Sequence, residues 1–227
     1  MTEPVLVAWS GGKDSALALQ EILGAGRYRV AALLTTVTGE YDRISMHGVR
    51  RTLLRRQAES LGLPLEEVVI SPSASNDEYE ASMGAALEGL RSQVSGLDRV
   101  VFGDLFLADI RAYRERMLAR VGMRGLFPLW LRDTRALAAD FVRQGYRAVL
   151  ACVDSRVLPS AFAGREFDAA LLRDLPSGVD PCGENGEFHT FVYAGPILRA
   201  PVPHRRGAFV VREGRFVYCD LEVIPTS

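Results

Sequence analysis

The chain has 227 residues, enough for one full hydrophobic core or one core with a small appended subdomain. Its 48% apolar content is ordinary for a soluble globular protein, and a formal charge of −1 supplies no global positive field for nucleic acid or an anionic membrane. Cys152, Cys182 and Cys219 are far apart and form no Cys-x-x-Cys pair, which argues against a disulfide framework or a zinc site and for a reducing cytosol. The start, MTEPVLVAW, lacks the basic region of a signal peptide, and no apolar run reaches bilayer length, so a cytoplasmic protein is expected.

Val5 to Trp9 reads as a buried strand, and Ser15 to Leu23 as a helix with Leu19, Ile22 and Leu23 on one face and Gly24 and Gly26 as stop signals. Arg29 to Thr36 is a second strand. Gly48 to Gly62 carries a helix whose apolar candidates are Val49, Leu53, Leu54 and Leu61, and Leu65 to Ile70 is a third strand. Asn76 or Asp77 can cap the next helix, where Tyr79, Met83, Ala86, Leu87 and Leu90 recur at helical spacing. Arg99 to Phe102 is a fourth strand ending at Gly103-Asp104. Asp109 to Val121 is a helix with Ile110, Tyr113, Met117, Leu118 and Val121 facing inward. Asp133 caps a further helix that stops at Gly145, and Tyr146 to Val153 is a fifth strand.

Strands apolar throughout and separated by helices imply an α/β doubly wound, mainly parallel five-stranded sheet over residues 1–153. From 154 to 227 the texture changes. Prolines and glycines crowd Pro159 to Pro203, and Ala208–Val211 and Arg215–Tyr218 flank Glu213-Gly214 as a hairpin, so a smaller C-terminal α+β subdomain is expected.

Between the first strand and the first helix stands Ser10-Gly-Gly-Lys-Asp-Ser15, and Lys13 is the only lysine of the chain. In a doubly wound sheet, ligands bind outside the carboxyl ends of the strands, where this loop sits. A helix start offers unpaired N–H groups and the positive end of a dipole to an anion. Gly11 and Gly12 let the backbone approach it, Ser10 and Ser15 add hydroxyls, and Lys13 adds a full charge. Asp14 repels phosphate directly, so its useful role is to hold Mg²⁺ bridging phosphates. The segment reads as a phosphate cradle, and it cannot be fitted to the G-x-x-x-x-G-K-[ST] loop. It resembles the pyrophosphate loop of the ATP pyrophosphatases, which split ATP between the α and β phosphates.

A second motif, Asp180-Pro-Cys-Gly-Glu-Asn-Gly-Glu-Phe-His-Thr-Phe-Val192, packs two glutamates, an asparagine, a histidine and a threonine among glycines that forbid a helix. SGGKDS together with CGENGEFHTF closely resembles the diphthine–ammonia ligase family of N-type ATP pyrophosphatases. Met46-His-Gly-Val-Arg50, Arg56-Gln-Ala-Glu59, Leu61-Gly-Leu-Pro64, Phe102-Gly-Asp-Leu105 and Phe127-Pro-Leu-Trp130 extend that resemblance over nearly the whole chain.

The resemblance implies an adenine nucleotide alpha hydrolase-like fold and amide formation. A carboxylate attacks the α-phosphorus of ATP, pyrophosphate leaves, and ammonia attacks the acyl-adenylate. It makes ATP and Mg²⁺ the expected cofactors. The expected partners are a carboxylate substrate, free or carried on a protein, and ammonium; a membrane is not expected, nucleic acid is disfavoured and a homodimer is allowed. The segments MHGVR and FGDLFLADIRAYRERML are similar to the bacterial branch, which implies an acceptor other than the elongation-factor residue of archaea and eukaryotes. Glutamine-using relatives often carry a cysteine directly after Met1. Residue 2 here is threonine and no spare domain is evident, so free ammonium is the simpler donor.

Within this scheme Lys13, Asp14, Asp104, Glu184, Glu187 and His189 are the catalytic candidates. Ser10 to Ser15 with Thr35 and Thr36 are the nucleotide-binding ones. His47, Arg50, Gly183, Asn185, Gly186 and Thr190 are the substrate-binding ones, and Asp14 is the Mg²⁺ candidate. Glu184 and Glu187 are read as holding ammonium or taking protons from it. His189 reads either as a base or orienting donor or as a histidine bonded within its loop. Asp104 reaches Mg²⁺ or substrate, or caps a turn. Arg50 lines the cleft or is a solvated helix residue. Arg116, Arg120 and Arg124, at every fourth residue, read as an exposed helix face, and Cys182 as a small packed residue rather than a nucleophile. Two other readings of the cradle are a tRNA-modifying pyrophosphatase, disfavoured by the net charge and the isolated cysteines, and a non-catalytic ATP sensor, which would not need the acidic loop.

Overall fold

Leu6 points to the opposite face of its strand from Val5 and Val7, and all three are fully buried. A strand apolar on both sides needs cover on both sides, and the structure, a computed structural model describing residues 2–39, 42–44 and 48–224, supplies it. Val5 and Val7 join a core with Leu19 of α1 (Lys13–Gly24) and Leu53 and Leu54 of α2 (Arg51–Leu61). Leu6 joins a second core with Leu87 of α3 (Asn76–Gln93) and Met117 and Leu118 of α4 (Ala108–Arg120).

The first strand, β1 (Glu3–Ala8), pairs in parallel with β2 (Tyr28–Thr38) on one side and with β5 (Arg99–Val101) on the other. β2 also pairs in parallel with β4 (Leu65–Ile70), and β5 with β6 (Arg124–Leu126), which gives a parallel order β4-β2-β1-β5-β6. Leu33 and Leu34 of β2 contact β1 along one edge and β4 along the other. The two-residue β3 (Arg43–Ile44), antiparallel to Val37 and Thr38, therefore continues the β1 edge beyond the end of β1.

The fifth parallel strand is β6, not Tyr146–Val153. That segment, β7 (Arg147–Asp154), lies inside a separate antiparallel sheet of order β8-β7-β10-β9, with β8 (Phe188–Ala194), β9 (His204–Arg212) and β10 (Phe216–Val223). An apolar run reports burial, not strand direction, and β7 is buried because neighbours flank it on both edges and side chains cover it on both faces. β6 is too short, and too weakened by Gly125, to stand out in the sequence. Its presence also takes Arg124 off the helix face on which spacing had placed it.

Of the remaining helices, α5 (Thr134–Arg143) is capped by Asp133, whose side chain accepts from Ala136 N, and α6 (Ala169–Asp174) is short. The cap of α3 is Ser75 rather than Asn76 or Asp77. Ser75 and Glu78 form a reciprocal capping box, which settles the start one residue earlier. The hairpin turns at Glu213-Gly214 as expected, with longer arms. The second sheet shares the first core through Val149, Leu150 and Phe191, and it joins the first sheet's loop directly, Val192 N donating to Gly11 O at 2.9 Å. Among the described residues no helix is long and apolar enough to cross a membrane.

Candidate active site

The loop after β1 turns at Gly11, whose φ of +77° is left-handed. A side chain there would also strike Gln57 and Leu54. Ser10 Oγ accepts from Gly12 N at 3.3 Å, and Ser15 Oγ donates to Gly12 O at 2.9 Å, so both hydroxyls shape the loop. Lys13 N donates to Thr190 Oγ1 of β8 at 3.0 Å, so Thr190 satisfies one of the helix's orphan donors. Gly103, after β5, passes so close to α1 that an added Cβ would lie 2.7 Å from the Asp14 carbonyl carbon. Only glycine permits that approach.

These elements close on a cavity of about 600 Å³. Ser10, Lys13, Asp14 and Ser15 line it from the loop and α1, Thr35 and Thr36 from β2, and Asp104 from the loop after β5. Gly183, Glu184, Asn185, Gly186, His189 and Thr190 come from the second sheet's motif. Tyr79, Met83, Leu107, Ile110 and Met117 make an apolar end between α3 and α4. Gly11 and Gly12 lie behind the wall rather than in it. Glu187 also sits behind it, buried, with Oε1 accepting from Asp180 N and Asn185 Nδ2, both at 3.0 Å. Arg50 lines neither this cavity nor its neighbour and instead holds Asp220. His47 lies outside the described residues.

Lys13 is 2% exposed and its Nζ donates to both Asp14 carboxylate oxygens, at 2.9 and 2.8 Å, and to the Cys182 carbonyl. Burial opposes the charge on Lys13, but Asp14 and its surroundings outweigh that and hold its pKa above the ordinary value. Glu184 accepts from Leu105 N at 2.7 Å, and burial, with Asp14 and Asp104 nearby, pushes it up to about 7. Burial and the Lys13 charge push His189 down to about 4, so its ring is neutral at pH 7. Burial pushes the Cys182 thiol up to about 12, which leaves it a packed thiol rather than a nucleophile.

Two family models match the chain, one described as the diphthamide synthase N-terminal domain over residues 3–125 and one as the diphthamide synthase C-terminal domain over residues 133–207. The chain belongs to the diphthamide synthase family. It is 28% identical over 212 residues to the diphthine–ammonia ligase of Danio rerio, a match covering 85% of this chain and 83% of that protein. Identity to the human diphthine–ammonia ligase is 25% over 216 residues, covering 85% and 79%. The Schizosaccharomyces pombe diphthine–ammonia ligase is 28% identical over 211 residues, and there the match covers 86% of this chain but only 35% of the relative. The two matched segments meet at the cavity, the first supplying the loop at 10–15 and Asp104, the second the loop at 183–190.

Three residues of the site were not singled out by sequence reasoning. Gln57, fully buried, accepts from Trp9 Nε1 at 3.0 Å and donates to Gly11 O at 2.9 Å and to Val192 O at 2.5 Å, tying α2, the loop and β8 together. A glutamine on the face shared with Leu53, Leu54 and Leu61 was the available signal. Arg114 lines the cavity, donates to Asp104 Oδ1 at 2.9 Å and stacks 4.5 Å from the Phe102 ring centroid. It shares a helix face with Ile110, Met117 and Leu118, where an arginine is out of place. Asp180 Oδ2 accepts from Cys182 N and Glu184 N and so folds the acidic loop. No periodic pattern marks it.

Proposed function

We propose that the chain is an ATP-dependent amide ligase that adenylates a carboxylate and amidates it with ammonium. The observation that carries this reading is one cavity in which the loop and helix start bearing the Lys13–Asp14 pair face an acidic loop from the other sheet. Its volume lies in the range of small-molecule sites. The apolar end between α3 and α4 suits a purine base, Thr35 and Thr36 lie where ribose would pass, and the start of α1 suits phosphates. Asp14, with Asp104 across the cavity, is the carboxylate that would hold Mg²⁺. Among the described residues no three ligating side chains converge, and Mg²⁺ commonly binds through one or two carboxylates plus substrate phosphates.

In this reading the acceptor oxygen bonds to the α-phosphorus as the bond to pyrophosphate breaks, and Lys13 and the helix start neutralise the charge that gathers on the departing group. Ammonia then bonds to the acyl carbon and AMP leaves. Glu184, near neutral pKa, takes a proton from ammonium at the pH where the protein would work. His189, neutral, orients rather than carries charge. Glu187 positions the acidic loop. Cytosolic placement and free ammonium as donor accompany the proposal.

The test is release of AMP and pyrophosphate from ATP, Mg²⁺ and ammonium, with and without carboxylates, in wild type and Lys13→Ala. Carboxylate-dependent AMP formation that drops at least about a hundredfold in the variant supports the ligase. ATP binding with no AMP under any condition, added tRNA included, rejects it.

A further inference from the structure

The aromatic residues of Phe102-Gly-Asp-Leu105 and Phe127-Pro-Leu-Trp130 have no part in the chemistry above. Phe102 and Phe127 each follow directly on a parallel strand, β5 and β6, at the carboxyl edge where such sheets bind ligands. Their rings stack with centroids 5.5 Å apart and planes 19° from parallel, and Trp130 meets Phe127 edge-on at 6.1 Å. Helix α4 lays two arginines on this stack. Arg111 lies 4.7 Å from the ring centroids of Phe127 and Trp130, and pairs with Glu115 of its own helix. Arg114 lies 4.5 Å from the Phe102 centroid, and it lines the first cavity beside Asp104.

The Asp104 side chain is 8% exposed. An aspartate at the end of a strand commonly caps a turn by accepting from the N–H two residues on. Here the N–H groups of Leu105 and Phe106 donate to Glu184 instead, at 2.7 and 3.4 Å. The Asp104 carboxylate is therefore not consumed by its own turn. Among the described residues its hydrogen bond comes from Arg114, Nε to Oδ1 at 2.9 Å, and none to Oδ2 is found. Glu184 feels the negative charges of both Asp14 and Asp104, so three carboxylates lining one cavity repel one another. Arg114 opposes that repulsion at Asp104. The Phe102 ring against the plane of its guanidinium and the α4 backbone behind it fix where it stands. A stacked cation and a charge-assisted hydrogen bond both gain strength where water is excluded.

Resting on the ligase reading above, in which Asp14 and Asp104 would hold Mg²⁺, we propose that Arg114 is a positioning residue. It holds Asp104 by Oδ1 and leaves Oδ2 for the metal–nucleotide, while the stack of Phe102, Phe127 and Trp130 holds the arginines of α4. A group that orients a metal-binding carboxylate governs metal affinity without touching metal or substrate. Charge and position predict opposite results here. As a bare positive charge Arg114 would repel Mg²⁺, and its removal would tighten metal binding. As the group that fixes Asp104, its removal weakens it.

The experiment is calorimetric binding of a non-hydrolysable ATP analogue, titrated over Mg²⁺ concentration and repeated in EDTA. It compares wild type, Arg114→Gln, Arg114→Lys, Asp104→Asn and the double variant Arg114→Gln, Asp104→Asn, each checked by thermal melting. Arg114→Gln is expected to raise the Mg²⁺ concentration for half-maximal enhancement of binding at least about tenfold, with affinity in EDTA within about twofold of wild type. Arg114→Lys keeps the charge but not the Nε–H, and is expected to shift it in the same direction, by about threefold or more. It carries the test if Arg114→Gln does not fold. The double variant is expected to lie within about twofold of Asp104→Asn, because both changes act through one carboxylate. Tighter Mg²⁺ dependence in Arg114→Gln, an equal loss of affinity in EDTA, or additive effects in the double variant overturns the assignment. Binding in wild type that is indifferent to Mg²⁺, or to Lys13→Ala, overturns the ligase reading instead.

Discussion

At Glu184 burial raises the proton affinity while the N–H groups of Leu105 and Phe106 lower it, and burial prevails. An unfolded chain releases this proton near 4.5, the folded one near 7. The folded state binds the proton more tightly, so the stability linked to it is fully present below about 4.5 and is lost as pH rises through 7. Glu184→Gln keeps an acceptor for Leu105 N without the charge. It should be more stable than wild type above pH 7, by up to about 3 kcal/mol, and nearly equal to it at pH 4.5. Urea denaturation of both proteins at the two pH values reads this, and an equal difference at both would contradict it. AMP formation by wild type should rise across pH 7, and the variant should lack that limb. At Gly103, contact with the Asp14 backbone makes even a methyl group too large. Gly103→Ala should cost on the order of 1–3 kcal/mol and weaken ATP binding at least tenfold, because it is α1 that must move. Calorimetric titration with ATP checks it, and unchanged affinity would show that the approach tolerates a side chain.

The elements meet through a few buried polar side chains. α2 contributes Gln57, which satisfies Trp9, the Gly11 carbonyl and the Val192 carbonyl at once, so the loop after β1, the helix beneath it and a strand of the other sheet share one amide. Gln57→Leu is close in size but leaves three buried polar groups without that partner. It should destabilise by about 2–4 kcal/mol and lower ATP affinity together. Equilibrium unfolding with a parallel ATP titration separates this from a purely local role, in which stability would fall and affinity would not. The N-terminus of α1 likewise depends on Thr190 of β8 rather than on a cap of its own. This element is complete only once the second sheet is in place.

For the whole molecule, Glu67 and Asp220 each bind two arginines from another segment. Partial burial works against the charge on Glu67, but Arg55 and Arg51 outweigh it and hold it at about 2. Arg50, with Arg43, holds Asp220 at about 2 against its burial, joining β10 to the segment before α2. Both pKa values are depressed, so the stability they contribute is present above about 4.5 and is lost as pH falls toward 2. Because Arg50 and Arg55 are 40% and 50% exposed, each carboxylate is expected to contribute only about 1–2 kcal/mol. The double variant Glu67→Gln, Asp220→Asn should be less stable than wild type at pH 6 and nearly equal to it at pH 2, as thermal melts at both pH values would show. An unchanged gap would place acid sensitivity elsewhere.

The sequence by itself determined the covered parallel sheet, because strands apolar on both faces can be satisfied in few ways. It also marked the two loops of the candidate site, because glycines and ionisable groups were packed together where neither a helix nor a core could use them. The tertiary structure alone decided that those loops face each other across one cavity. Residues 10–15 and 183–190 are far apart along the chain, and they meet only because β8 docks on Gly11 and Lys13. It alone assigned Tyr146–Val153 to the antiparallel sheet, since burial is visible in an apolar run and strand direction is not. It also turned Gln57, Arg114 and Asp180 from unremarked polar residues into supports of the site, because a hydrogen bond depends on where two chain segments end up.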